Sequence, residues 1–271
     1  MSNKHVVSFS GGMGSFAEAK LCCDTFGKEN VILLFCDTLA EDQDLYRFLE
    51  DCVKFLDCAF VRLCYGKSPW ELFKASKFIA NSKNDLCSRV LKRDLMSKQW
   101  LPDNFGYVEE VEGVKYNLLS CDVHVGIDYS ESHRLDSIKK HMYPKVYRSL
   151  LVELGLIIPK DYSLQFGITP PWLYRMGYSH NNCGGFCVKA GLGQFKLLFE
   201  TMPHRYTENE NQEQEVLALG GLPFLKKTTK GVIRYLSMKE YREEFLELGL
   251  AEEDKWDIGG CACALPLGDD L

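Results

Sequence analysis

The sequence predicts an α/β protein, a parallel β-sheet with helices on both faces, followed by a smaller helical region that carries cysteine motifs. Three observations support this. Over residues 1–65, apolar runs of strand length alternate with amphipathic stretches of helix length, the pattern of βαβ units. A glycine-rich turn joins the first run directly to the first helix. With 46% apolar residues, the 271-residue chain has enough apolar surface to bury a full core.

Taken in order, the first strand is Lys4–Ser8, and a helix covers 15–26. The run Val31-Ile32-Leu33-Leu34-Phe35 reads as a strand buried on both faces. The helix expected over 42–56 carries Leu45, Phe48, Leu49, Cys52, Val53 and Leu56 at spacings of three and four, a single apolar stripe that faces a sheet. Ala59–Cys64 is the next strand, 69–80 a helix and loop, and 88–100 a helix closed by Pro102. Two alternating runs around Glu112-Gly113 read as a β-hairpin, 123–127 as the fourth parallel strand and 130–141 as a helix. Beyond Pro144 the pattern changes to short helices with Gly and Pro punctuation, a polar acidic segment over 208–215 and a last helix over 239–248 closed by Gly249. The expected division is therefore 1–143 and 144–271, the second part packed on the first.

A net charge of −6 argues against a protein that coats nucleic acid through bulk electrostatics. The basic clusters Lys139, Lys140, Lys145, Arg148 and Lys226, Lys227, Lys230 read as solvated surface. No apolar run is long enough to span a bilayer and the first residues lack a signal-peptide layout, so a cytoplasmic protein without a membrane partner is expected. In that compartment the 12 cysteines are core residues, metal ligands or reactive thiols rather than disulfides. Cys22, Cys23, Cys52, Cys58, Cys64 and Cys121 lie in or beside predicted elements and are assigned to packing.

The turn Ser8-Phe9-Ser10-Gly11-Gly12-Met13-Gly14-Ser15 stands where a strand hands over to a helix. Glycines there bring backbone N–H groups toward anionic oxygens, with a positive φ expected at Gly12. The helix adds its dipole and Ser10 and Ser15 add hydroxyls. The spelling is neither a Walker A loop nor a GxGxxG fingerprint. Asp37 and Thr38 end the second strand, where a crevice ligand or a surface turn are both open readings. Gly126 and Ile127 end the fourth, followed by Asp128, Glu131 and Arg134. Arg134 either clamps a phosphate or pairs with Glu131 at i,i+3.

Cys87 lies at a predicted helix N-terminus, which favours thiolate, with Arg89 and Lys92 following. Cys183 and Cys187 flank a Gly-Gly turn, and Cys261 and Cys263 sit in a glycine-softened tail. Two metal readings stay open. Cys183, Cys187, Cys261 and Cys263 make a tetrahedral Zn²⁺ site, or Cys87, Cys183 and Cys187, with or without a tail cysteine, hold an iron–sulfur cluster.

In order along the chain, SGGMGS, CDT, CSRVLK, GIDYSESHR, HNNCGGFCVKAG and CAC resemble the phosphoadenylyl-sulfate (PAPS) reductase family of the PP-loop ATP pyrophosphatase superfamily. The likeness is to its phage and bacterial branch related to DNA phosphorothioation enzymes. The resemblance implies a Rossmann-like sheet of the adenine nucleotide α-hydrolase type, ATP and Mg²⁺ as cofactors and cleavage between the α and β phosphates. It also implies a 4Fe–4S cluster on the cysteines. Implied nucleotide contacts are Ser8, Ser10, Gly11, Gly12, Met13, Gly14, Ser15, Asp37, Thr38, Gly126, Ile127, Glu131 and Arg134. Asp37, Arg134, Lys92 and Cys87 become the catalytic candidates, and the partners become an adenine nucleotide, a nucleotide or nucleic-acid acceptor, a sulfur donor such as a cysteine desulfurase and a second copy of the chain. The Glu-Cys-Gly-(Ile/Leu)-His stretch of the thioredoxin-dependent reductases does not occur. Gly14 also stands where many superfamily members carry an aspartate, which makes Asp37 the candidate metal carboxylate.

Overall fold

The computed structural model describes residues 3–81, 84–142, 147–229 and 231–257. Five strands form a wholly parallel sheet in the order β3-β2-β1-β6-β7, flanked by helices on both faces as in Rossmann-like nucleotide-binding folds. These are β1 (Lys4–Ser8), β2 (Val31–Asp37), β3 (Ala59–Cys64), β6 (Cys121–Val125) and β7 (Tyr147–Arg148). β1 pairs with β2 on one side and β6 on the other, so the chain reverses its direction of travel across the sheet there and opens a crevice beyond the strands' carboxyl ends.

Helices α1 (Met13–Phe26) and α2 (Gln43–Leu56) cover one face through Phe16, Ala19, Leu45 and Phe48, packed on Val7, Leu33 and Phe35. α2 begins where the Asp42 carboxylate accepts from the Asp44 N–H. The opposite face packs Val6, Leu34 and Val123 against Met96, Leu101, Leu135 and Ile138. A third core joins α3 (Pro69–Ser76), opened by a capping box of Ser68 and Glu71, to the helices Leu192–Thr201 and Pro203–Ala218. The hairpin β4 (Gly106–Val111) and β5 (Val114–Leu119) turns on Glu112 and Gly113, both at positive φ. A second hairpin pairs β8 (Leu225–Thr229) with β9 (Val232–Leu236). Among the described residues no helix is long and apolar enough to cross a membrane.

One expectation fails. Pro102 does not close its helix, because the turns over Arg89–Arg93 and Leu95–Trp100 widen to π geometry and the helical run continues to Phe105 with Pro102 in the first turn of its last segment. The acidic stretch 208–215 forms the middle of the helix Pro203–Ala218, and two of its carboxylates turn inward. Glu210 receives a two-pronged contact from Arg242, and Glu213 caps the Met238 N–H at 2.6 Å. The sheet's fifth strand and the short helix Leu150–Glu153, whose first N–H groups bond to Glu18 of α1, come from beyond residue 143.

Burial raises the Glu213 carboxyl to about 8. A folded-state value above the unfolded one means that the folded chain holds an extra proton between roughly pH 4.5 and 8. Stability therefore falls as pH rises through that window. Glu213→Gln is expected to flatten the decline. Melting temperatures at pH 5.5 and 8.5 check this, and an unchanged difference between the two would remove Glu213 as its source.

Candidate nucleotide cleft and cysteine cavity

The glycine turn after β1 is built as a cradle over the α1 N-terminus. Gly11 carries the positive φ, +77°, while Gly12 is extended at −91°, so the residue that needs the glycine conformation is one earlier than the sequence suggested. Ser15 Oγ donates to the Gly12 carbonyl at 2.8 Å and accepts from Ser10 Oγ at 3.3 Å. α1 has no side-chain cap of its own, and Tyr174 Oη accepts the Met13 N–H at 3.2 Å. A Cβ on Gly14 would stand 2.5 Å from the Gly126 carbonyl oxygen, and one on Gly126 would stand 2.4 Å from the Ser15 backbone. The turns after β1 and β6 therefore touch backbone to backbone, which explains both glycines by packing and leaves no room for a side chain at position 14.

Ser8 and Ser10 line a narrow cleft of about 80 Å³ with Val125, Lys92, Arg93 and Asn182. Met13 and Ile127 are core residues. Arg134 bonds Glu131 at 2.5 Å, the i,i+3 pair that the spacing allowed.

Asp37 is fully buried, and its oxygens accept from the Leu39 N–H and Tyr46 Oη, each at 2.8 Å, and from Arg62 of β3. Burial alone would raise its carboxyl, but the Leu39, Arg62 and Tyr46 bonds hold it below the usual range. A carboxylate so engaged anchors the strand end, and to hold Mg²⁺ it would have to give up one of these bonds.

A buried acid that sequence reasoning missed is Glu41, in the loop after β2. It accepts from Thr38 Oγ1 at 3.0 Å, Lys92 Nζ at 3.5 Å and the Cys183 N–H. Glu41 thus ties the loop after β2, the helix that starts at Leu86 and the cysteine turn to one point.

The three described metal-candidate cysteines line one cavity of about 480 Å³. Cys87 and Lys92 come from one helix and Cys183 and Cys187 from the Gly-Gly turn, with Thr38, Lys189 and Arg205 in the same wall. Cys183, Gly184 and Gly185 are all left-handed, at φ 54°, 57° and 83°. Arg205, also unanticipated, holds this turn by donating to the Gly184 carbonyl and to Asp42, both at 2.7 Å. Among the described residues, the groups whose ligand atoms gather within 4.8 Å do not include these three thiols. All three would meet a single ion only after side-chain movement. Cys261 and Cys263 lie outside the described residues.

Two residues before Cys183, Asn181 donates to the Gly11 carbonyl at 3.3 Å, so the cysteine turn is bonded to the glycine turn. His180 is lowered to about 4 by burial and by the charges of Lys92 and Lys160, and so is neutral at physiological pH. The one sequence signal for this link was the Asn-Asn pair beside the cysteine motif.

No protein-family model and no curated protein matches the sequence. A solved structure of a PAPS reductase from Candida auris, in a phosphate complex, is similar to 66% of this chain and 79% of its own, at 16% identity and a TM-score of 0.42.

Proposed function

We propose that the chain is an ATP-dependent adenylating enzyme of the PP-loop, PAPS reductase-like type that activates an acceptor for sulfur transfer. One observation carries this reading: Lys92 lines both the cleft of Ser8 and Ser10, at the start of the glycine turn, and the cysteine cavity. A cation at that boundary can meet phosphate on one side and sulfur chemistry on the other. Backbone N–H groups of the Gly11–Ser15 turn hold pyrophosphate, that of Met13 on release from Tyr174, and Lys92, oriented by Glu41, stabilises charge on the α-phosphate as an acceptor oxygen attacks phosphorus and pyrophosphate departs. Mg²⁺ enters with ATP. Cys87, Cys183 and Cys187 fit a 4Fe–4S cluster, which when bound supplies a sulfur-carrying iron. The acceptor is a nucleotide or nucleic acid, and the sulfur comes from a donor such as a cysteine desulfurase. Arg134 joins the site if its pair with Glu131 opens.

Incubating the anaerobically purified protein with Mg-ATP and candidate acceptors is expected to give AMP and pyrophosphate. ADP and phosphate as the only products would overturn the reading. Lys92→Ala is expected to cut turnover about 100-fold, the usual cost of losing one charge-stabilising group. Turnover at the unaltered rate would take Lys92 out of the chemistry.

A second reading is favoured by the carboxylates at the glycine turn: among the described residues Gly14 has no space for one and Asp37 is engaged. In it the protein binds an adenine nucleotide without turnover and the cysteines hold structural zinc. Nucleotide affinity with no AMP formed, in a colourless zinc protein, would select it. Release of sulfite from a sulfonucleotide would instead select reduction.

A further inference from the structure

Beneath α1, on the same two strands whose ends carry the glycine turn and Gly126, lies a buried polar cluster that the nucleotide chemistry does not use. His5 of β1 stands beside Asp122 in the register of β6, and His124 follows on the same face. His124 and Glu18 are fully buried and His5 nearly so. The Glu18 carboxylate accepts from the Leu150 and Leu151 N–H groups at 2.8 and 3.1 Å, from Ser149 Oγ at 3.2 Å and from His124 Nδ1 at 2.9 Å. A carboxylate only accepts, so the His124 proton is on Nδ1 and the Nε2 lone pair points away from Glu18. It faces His5 Nδ1 at 3.2 Å, and His5 Nδ1 lies 3.8 Å from Asp122 Oδ2.

We infer that His5, His124 and Asp122 form a Zn²⁺ site with water as the fourth ligand. The donor atoms of the three residues all lie within 4.8 Å of one another. Two nitrogens bound to one tetrahedral zinc at about 2.0–2.1 Å stand about 3.3 Å apart, close to the spacing of the two imidazoles. Glu18 supplies the outer partner that a zinc-bound histidine almost always has, fixing its tautomer and ring. His5 is held from the other side by stacking on Phe26, with ring centroids 3.6 Å apart. Asp122, also 3.5 Å from Arg148, is the least buried of the three and opens the route from solvent. Without the ion, His5 Nδ1–H donates to His124 Nε2, so zinc replaces one hydrogen bond. Bound there, the ion fastens β1 to β6, and through Glu18 fastens both to α1 and the Leu150 turn. Two imidazoles and a carboxylate select zinc over Mg²⁺ or Ca²⁺, which take oxygen ligands.

The test separates this site from the cysteines. In the full chain with Cys87, Cys183, Cys187, Cys261 and Cys263 changed to Ser, one equivalent of Zn²⁺ is expected to bind and to raise the melting temperature. Co²⁺ is expected to bind with a tetrahedral visible spectrum lacking the thiolate charge-transfer band. His5→Phe keeps the stack on Phe26 and Asp122→Asn keeps the volume, and each is expected to weaken zinc binding at least 10-fold. A chain that takes up no stoichiometric zinc, or whose affinity is unchanged in both variants, overturns the site. A persisting thiolate band overturns the ligand set in favour of Cys22. Should the serine chain not fold, zinc and iron are counted in the otherwise unaltered chain. There Asp122→Asn is expected to lose one zinc and keep its iron, and equal zinc in both chains overturns the proposal.

Discussion

Gly126→Ala is expected to destabilise the protein by about 3 kcal/mol or more and to abolish nucleotide binding, although the change adds a single methyl group. The added carbon would stand 2.4 Å from the Ser15 nitrogen and Cα and 2.6 Å from the Gly14 carbonyl carbon. All three neighbours are backbone, so no rotamer change relieves the clash, and the turn after β6 must separate from the first turn of α1. Overpacking at sites where side chains can adjust costs about 1–3 kcal/mol, and a contact against fixed backbone belongs at the upper end or beyond. Gly12→Ala serves as the contrast. Gly12 has an ordinary negative φ, and its Cβ would come only as near as 3.4 Å to Tyr174 Oη. That variant is expected to fold like the parent. Urea unfolding of the two variants, with ATP calorimetry on whichever fold, checks the pair. A Gly126→Ala midpoint equal to that of Gly12→Ala would mean that the two turns do not pack as described.

The contrast also shows what the sequence could convey. A glycine-rich spelling between a strand and a helix marks a tight turn, and β1, β2, β3 and both central helices were legible because their apolar periods are local. Which glycine is needed to let two backbones meet depends on β6, far along the chain. Asp37 illustrates the same limit. Its place at a strand end suggested a ligand role, but Arg62 on the neighbouring strand and Tyr46 on α2 take up its oxygens, and no spacing rule connects those three residues. Glu41 was invisible for the opposite reason. An acid just before a helix reads as solvated, and only the approach of Lys92 and the Cys183 turn makes it a junction. In the helix Pro203–Ala218, polar composition hid the element, because carboxylates such as Glu210 are buried only by virtue of a partner, Arg242, on another segment.

The cysteines were legible as motifs, and what the fold adds is that Cys87, separated in sequence from the Gly-Gly turn, shares its cavity. Cys87→Ala is therefore the variant that divides the two metal assignments. If an iron–sulfur cluster spans Cys87, Cys183 and Cys187, each of the three alanine variants is expected to lose its iron and its pyrophosphate release together. Cys22→Ala, whose thiol is raised far above its ordinary range by burial and the nearby Glu18, is expected to keep both. If instead zinc is held by Cys183, Cys187, Cys261 and Cys263, Cys87→Ala keeps that zinc and only the Cys183 and Cys187 variants lose it. Zinc at His5, His124 and Asp122 would remain through all of these changes, so the metals must be counted separately. The hydrogen bond from Asn181 to Gly11 gives loss of such a cluster a route to the nucleotide turn. Loss of iron should thus weaken ATP binding as well as turnover. Iron and zinc analysis on anaerobically purified variants, with ATP affinity measured alongside, checks this, and full metal content in both the Cys183 and Cys187 variants would eliminate the cluster and the zinc staple alike.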